Sequence, residues 1–160
     1  MAAFISGPLD TGPNDCYFHT YYVPQINEAI TRDDDFVIGP ILSGVDANAL
    51  AYLLSYPVSP TRITVFATAG ENSMWGSGER DAAMTAASVY DILRVRTRDE
   101  SRRLYGRMWR EGHITNTERN WKRRRGIAED VEVSAEEIHR SMGFTEKKGL
   151  FNRLMSRCKD

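Results

Sequence analysis

Three short groups of residues have the types that hold a small anionic ligand. Ser6 and Gly7 follow the apolar pair Phe4-Ile5, Gly44 and Asp46 follow Phe36-Val37-Ile38-Gly39, and Asn116, Thr117 and Asn120 follow a loop that opens at Gly112. Small residues at such turns let a phosphate approach backbone N–H groups, and a helix that starts there adds its dipole. A fourth group, Arg80, Asp81 and Thr85, opens an alanine-rich stretch. There the arginine suits a phosphate and the aspartate a ribose hydroxyl. Each group also has a plainer reading. Gly7 serves any tight turn, Asp46 and Thr117 serve as helix caps, and Arg80-Asp81 serves as a helix-capping ion pair.

Other chemistries find no support. His19, His113 and His139 are far apart and lack the short helical spacing of a zinc site, so no metal is expected. No serine stands in a nucleophile elbow, and no glycine-lysine loop of the Walker type occurs. Cys16 and Cys158 sit at opposite ends of the chain without a neighbouring thiol, which indicates neither a disulfide framework nor a cysteine metal site. A reducing, cytoplasmic setting is the expectation. The longest apolar stretches fall well short of the roughly 20 residues that cross a bilayer, so no membrane span is expected.

Charge is segregated. Residues 1–93 hold 11 acidic and 3 basic side chains, whereas residues 94–125 hold 4 acidic and 12 basic ones, 11 of them arginine. Arginine's planar fork matches phosphate and carboxylate, which makes an anionic partner one reading of that segment. A solvated helical face is the other. Tyr17, Tyr21, Tyr22, Trp75, Tyr105, Trp109 and Trp121 supply rings for base stacking or for ordinary packing.

Strands and helices must position these groups, and the pattern alternates between the two. Phe4-Ile5, Phe36 to Gly39, Ile63 to Ala67 and Tyr90 to Val95 read as strands, the third as a buried one. Phe18, Tyr22, Ile26 and Ala29 fall at helical spacing, with Pro24 as a kink or a start. Helices are also expected over Asp46 to Leu54, Arg80 to Ser88, Asp99 to Trp109 and from Glu118 to Arg125. Ser134 and Glu137 form a capping box for a tail helix ending near Gly143, with another over Thr145 to Cys158. Asp33-Asp34-Asp35 reads as a solvated break, and Glu71 to Gly78 as a loop able to close over a ligand. Alternation of this kind predicts an α/β protein with a central parallel sheet of about four or five strands and C-terminal helices. A domain over 1–125 and a helical extension over 126–160 packed on it are expected. The three turns would then lie at the carboxyl ends of strands, where open sheets bind ligands.

The run Phe36-Val37-Ile38-Gly39-Pro40-Ile41-Leu42-Ser43-Gly44-Val45-Asp46-Ala47-Asn48-Ala49, followed by Ile63-Thr64-Val65-Phe66, resembles the SLOG superfamily of Rossmann-like three-layer domains. That superfamily includes the DNA-processing protein A, lysine-decarboxylase-like phosphoribohydrolases and, more distantly, nucleoside 2-deoxyribosyltransferases. The resemblance covers roughly residues 4 to 125. It implies that Ser6-Gly7 is a phosphate-facing turn, that Gly44 and Asp46 open a ligand-binding helix, and that Gly112 to Asn120 is the last glycine-rich turn. It also implies a nucleotide-like ligand and a homodimer. In the hydrolase and transferase relatives a glutamate three residues after the last turn's threonine serves the N-glycosidic chemistry. Counting from Thr117, that position is Asn120, and an amide is neither nucleophile nor general base. Binding of a nucleotide-derived ligand without turnover is therefore the leading expectation. Nucleic-acid contact through residues 94–125 and a protein-interaction module are the alternatives.

Overall fold

A computed structural model describes residues 1–56, 58–66 and 77–143. Most of the expected loop over 71–78, together with Trp75, Cys158 and the helix expected over 145–158, lies outside them. The chain divides into two compact units, residues 1–93 and 94–160.

The first unit is α/β and Rossmann-like. Strands β1 (Ala2–Ile5) and β2 (Asp35–Ile38) are separated by a 3₁₀ turn (Pro13–Asp15), α1 (Cys16–Tyr21) and α2 (Val23–Thr31). Then come α3 (Gly44–Ser55), β3 (Ile63–Val65), α4 (Ser77–Ala86) and β4 (Tyr90–Ile92). All strand pairs are parallel, in the order β3-β2-β1-β4. The expected strand from Ile63 to Ala67 is shorter and differently placed: β3 is an edge strand, and its Thr64 and Val65 are exposed rather than buried. An edge position shields one side less, and β-branched residues do not by themselves distinguish edge from centre.

Helices cover both faces of the sheet, as an all-parallel sheet requires. On one face Ala3, Ile5, Phe36, Ile38 and Ile92 meet Phe18, Tyr22, Ile26 and Ala29 of the first helical stretch and Val45, Ala49 and Leu53 of α3. On the other, Phe4 and Val37 meet Met84 of α4. Helical spacing of Phe18, Tyr22, Ile26 and Ala29 thus marks a core face, all four being buried. Pro24 falls in the first turn of α2, where its missing N–H costs nothing, and the helix restarts there after Tyr22.

The triplet Asp33-Asp34-Asp35 is not simply a solvated break. Asp34 is 1% exposed and accepts from the Met1 amino group (2.9 Å), Arg32 Nε (3.0 Å) and the Tyr90 hydroxyl (2.8 Å). Arg62 pairs with Asp33 at 2.7 Å and donates to the Asp34 carbonyl.

The second unit contains α5 (Arg98–Tyr105), a 3₁₀ turn (Gly106–Met108), α6 (Asn116–Arg125) and α7 (Ala135–Ser141). The capping box of Ser134 and Glu137 forms as expected, and Thr97 with Glu100 makes a second one on α5. Among the described residues no helix is long and apolar enough to cross a membrane.

Candidate functional site

Strand order reverses at β1: β2 and β3 extend the sheet to one side and β4 to the other. Ser6 and Gly7 follow the carboxyl end of β1, so they stand at the topological switch point where sheets of this kind hold ligands. Ser6 is 6% exposed, its N–H donates to Ile92 O at 3.2 Å, and its Oγ has no hydrogen-bond partner among the described residues. The Ser6 carbonyl accepts from the buried Tyr22 hydroxyl at 3.1 Å.

Both turn glycines have their smallness explained by protein neighbours. A Cβ on Gly7 would stand 2.4 Å from Tyr22 Oη and 2.5 Å from Val45 Cγ2. One on Gly44, whose φ is +68°, would stand 2.5 Å from Leu9 Cα and from Pro8 O. The β1–α1 loop therefore lies directly on the start of α3, and Val45 N–H donates to Pro8 O at 3.1 Å. One amide that a phosphate would use is already occupied. The two turns come together, and part of their contact is with each other.

Asp46 is not the cap of α3. The N-cap is Ser43, and Asp46 stands three residues on, in the first turn. Its carboxylate accepts from the Ile41 backbone N–H and lies so close to Gly39 that a Cβ there would sit 2.3 Å from Oδ2. Gly39 and the Ile41 amide are partners that spacing alone does not reveal; the glycine ending β2 was the visible signal. Burial pushes the Asp46 carboxyl up, opposed by the Ile41 N–H and by Arg80 and reinforced by Asp81, to about 6.

Arg80 and Asp81 of α4 thus share an electrostatic site with Asp46. Arg80 reaches Asp81 at a long 3.6 Å, and its buried Nε has no hydrogen-bond partner among the described residues. Asp81 is 7% exposed, while the Thr85 hydroxyl is spent on the Asp81 carbonyl at 2.8 Å within the helix. Ser6, Gly7, Gly44, Asp46, Arg80, Asp81 and Thr85 all fall in the first unit.

Asn116, Thr117 and Asn120 fall in the second unit. Thr115, not Thr117, caps α6, accepting from Glu118 N–H. The sequence offers threonines two apart, and only backbone geometry distinguishes which is outside the helix. Thr117 is buried, Asn116 Oδ1 accepts from Arg119 at 3.1 Å, and buried Asn120 accepts from Arg123 at 2.6 Å. These amides clamp arginines of their own helix.

Among the described residues no cluster of His, Cys, Asp or Glu is arranged to hold a metal ion. His139 is buried, its Nε2 2.6 Å from Val95 O, whereas His19 and His113 are exposed. Tyr17, Tyr21 and Tyr22 pack among themselves and Phe18 rather than presenting rings to a base. Trp121 is buried with its Nε1 on Ser141 Oγ.

Fold and site together define a Rossmann-like α/β protein with a carboxylate–guanidinium cluster beside the carboxyl edge of its sheet. No family model, curated protein or solved structure matches the chain, so the resemblance to the SLOG superfamily rests on the residues themselves.

Proposed function

We propose that residues 1–93 bind a nucleotide-derived, phosphorylated ligand at the carboxyl edge of β1 and β2. Arg80 takes the phosphate, and Asp46 and Asp81 accept ribose hydroxyls. The observation that carries this reading is the state of the three cations in the acid-rich unit. Arg32 is held by Glu28, Asp34 and Tyr90, and Arg62 by Asp33, Asp35 and the Asp34 carbonyl. Among the described residues Arg80 has no ion-pair partner closer than Asp81 at 3.6 Å, and its buried Nε has no hydrogen-bond partner. Arg62 Nε also lacks a close hydrogen bond, but its Nη atoms are both engaged at short range. A partly buried guanidinium left this way gains most from an added anion. N-glycosidic turnover is not part of this proposal: by the resemblance, Asn120 stands where the hydrolase and transferase relatives place a glutamate.

Thermal unfolding across nucleosides, nucleotides, ribose phosphates and cyclic nucleotides tests the reading. A ligand at about a hundred times its Kd adds roughly 2.7 kcal/mol to stability, a readily measured rise in midpoint. Arg80→Ala and Asp46→Ala should abolish most of that rise while each variant alone still unfolds cooperatively. A panel without any shift, or shifts that survive in both variants, would reject this site.

A further inference from the structure

The arginines of residues 94–125 divide by what they already hold. Arg94 is buried in a two-pronged pair with Glu100, at 3.0 and 2.9 Å. In α6, Arg119 holds Asn116 and Glu129, Arg123 holds Asn120, and Arg125 lies over the Trp121 ring at 4.5 Å. Lys122, 1% exposed, sits between Glu118 at 2.9 Å and the Glu129 carbonyl at 3.0 Å. This charge is largely committed inside its own unit.

The stretch from α5 through its 3₁₀ turn is different. None of its residues from Arg98 to Met108 is buried. Arg107 and Arg110 have no partner among the described residues, and Arg103 donates its Nε only to the Asp99 carbonyl of its own helix. The Arg102 guanidinium lies over the Trp109 ring, 4.5 Å from its centroid. Between these cations Tyr105 is 44% exposed and Met108 83%. An eight-residue helix without a buried side chain is too short to stand on propensity alone. Here it is fixed at its start by the Thr97–Glu100 capping box and the Arg94–Glu100 pair. The unit thus carries a basic helix, with Tyr105 at its end, that buries none of its residues.

We propose that α5 and the turn after it are a docking surface for single-stranded nucleic acid. Arg103, Arg107 and Arg110 meet phosphates, while Tyr105 and the Arg102–Trp109 pair offer flat faces to unpaired bases. Charge complementarity selects a polyanion, and guanidinium forks match phosphate oxygens two at a time. Rings beside those forks select unpaired bases, whose faces a duplex hides. A lipid surface fits less well, because α5 has no continuous apolar face: its exposed apolar residues are confined to Leu104, Tyr105 and, past the helix end, Met108. This surface lies in a different unit from Arg80, so it stands or falls independently of the small-molecule site.

Fluorescence anisotropy with a labelled single strand of about 15 nucleotides tests it on the full chain. Affinity should fall as salt rises. Arg107→Ala/Arg110→Ala should lower it about tenfold and reduce the log–log salt slope by about 1.4, since each single-strand phosphate contact adds about 0.7. Tyr105→Ala should weaken binding without changing the slope, and Arg80→Ala should change neither. Circular dichroism should show all these variants folded, the substituted side chains being exposed or outside the core. Wild-type binding by the arginine double variant would overturn the proposal. So would duplex binding as tight as the single strand, or equal competition by polyglutamate or anionic vesicles.

Discussion

Asp46 and Asp34 are the same side chain in the same unit, yet their surroundings drive them in opposite directions. For Asp46, burial is the largest influence and leaves the carboxyl at about 6. The native state then holds a proton that the unfolded chain has already lost between about pH 4 and 6, so this group's contribution to stability falls as pH rises through that window. Asp46→Asn, which keeps an acceptor for Ile41, should therefore melt at a higher temperature than the wild type at pH 7.5 and equal it near pH 4. A lower midpoint at pH 7.5 would mean the ionised form is better held than its burial implies. For Asp34, burial again raises, but the Met1 amino group, Tyr90 and Arg32 outweigh it and the carboxyl titrates below its ordinary range. Its contribution is present above about pH 4 and disappears as pH falls through the lowered native value. Asp34→Asn should cost about 2 kcal/mol in urea unfolding at neutral pH and progressively less in acid. A cost that does not shrink in acid would assign Asp34 a packing role alone. Asp46 was legible as a site candidate because a glycine-ended strand precedes it. Asp34 was not, because Met1 and Tyr90 reach it from 33 and 56 positions away.

Elements were most legible where one face is buried. The positions of Phe18, Tyr22, Ile26 and Ala29 gave the helical stretch its inner face, and Ser134 with Glu137 marked the start of α7, because both signals act within about three turns of chain. What spacing did not reveal is the seat of the β1–α1 loop on α3. That seat depends on Gly7 and Gly44 letting backbone and side chain close to contact distance. Gly44→Ala combines a left-handed φ with a collision against loop backbone, whereas Gly12→Ala has a left-handed φ of +75° and open space around it. Gly12→Ala should cost about 1 kcal/mol and Gly44→Ala at least twice that, measured by chemical denaturation. Equal costs would show that the loop shifts freely. Tyr22→Phe removes the hydroxyl that holds the Ser6 carbonyl beneath the same loop, and should cost about 1 kcal/mol.

Across the whole chain a net charge of −1 hides two opposed units: residues 1–93 carry 11 acidic and 3 basic side chains, and residues 94–160 carry 11 acidic and 18 basic. Units of opposite net charge on one chain make copies of it attract one another when salt is low, because a nearly neutral molecule has little overall repulsion to resist that attraction. The Debye length shrinks from about 14 Å at 0.05 M salt to about 4 Å at 0.5 M, so a contact built on exposed charge dissolves over that range. Light scattering should therefore show self-association at about 0.05 M salt that vanishes near 0.5 M, and Arg107→Ala/Arg110→Ala should weaken it. The homodimer that the family resemblance implies would behave differently. An interface with an apolar core holds at high salt, because hydrophobic burial is not screened. Loss of association at 0.5 M would assign the low-salt species to charge alone. Persistence there, unaffected by the arginine substitutions, would assign it to an apolar face, and would free the basic helix in every copy for the polyanion it fits.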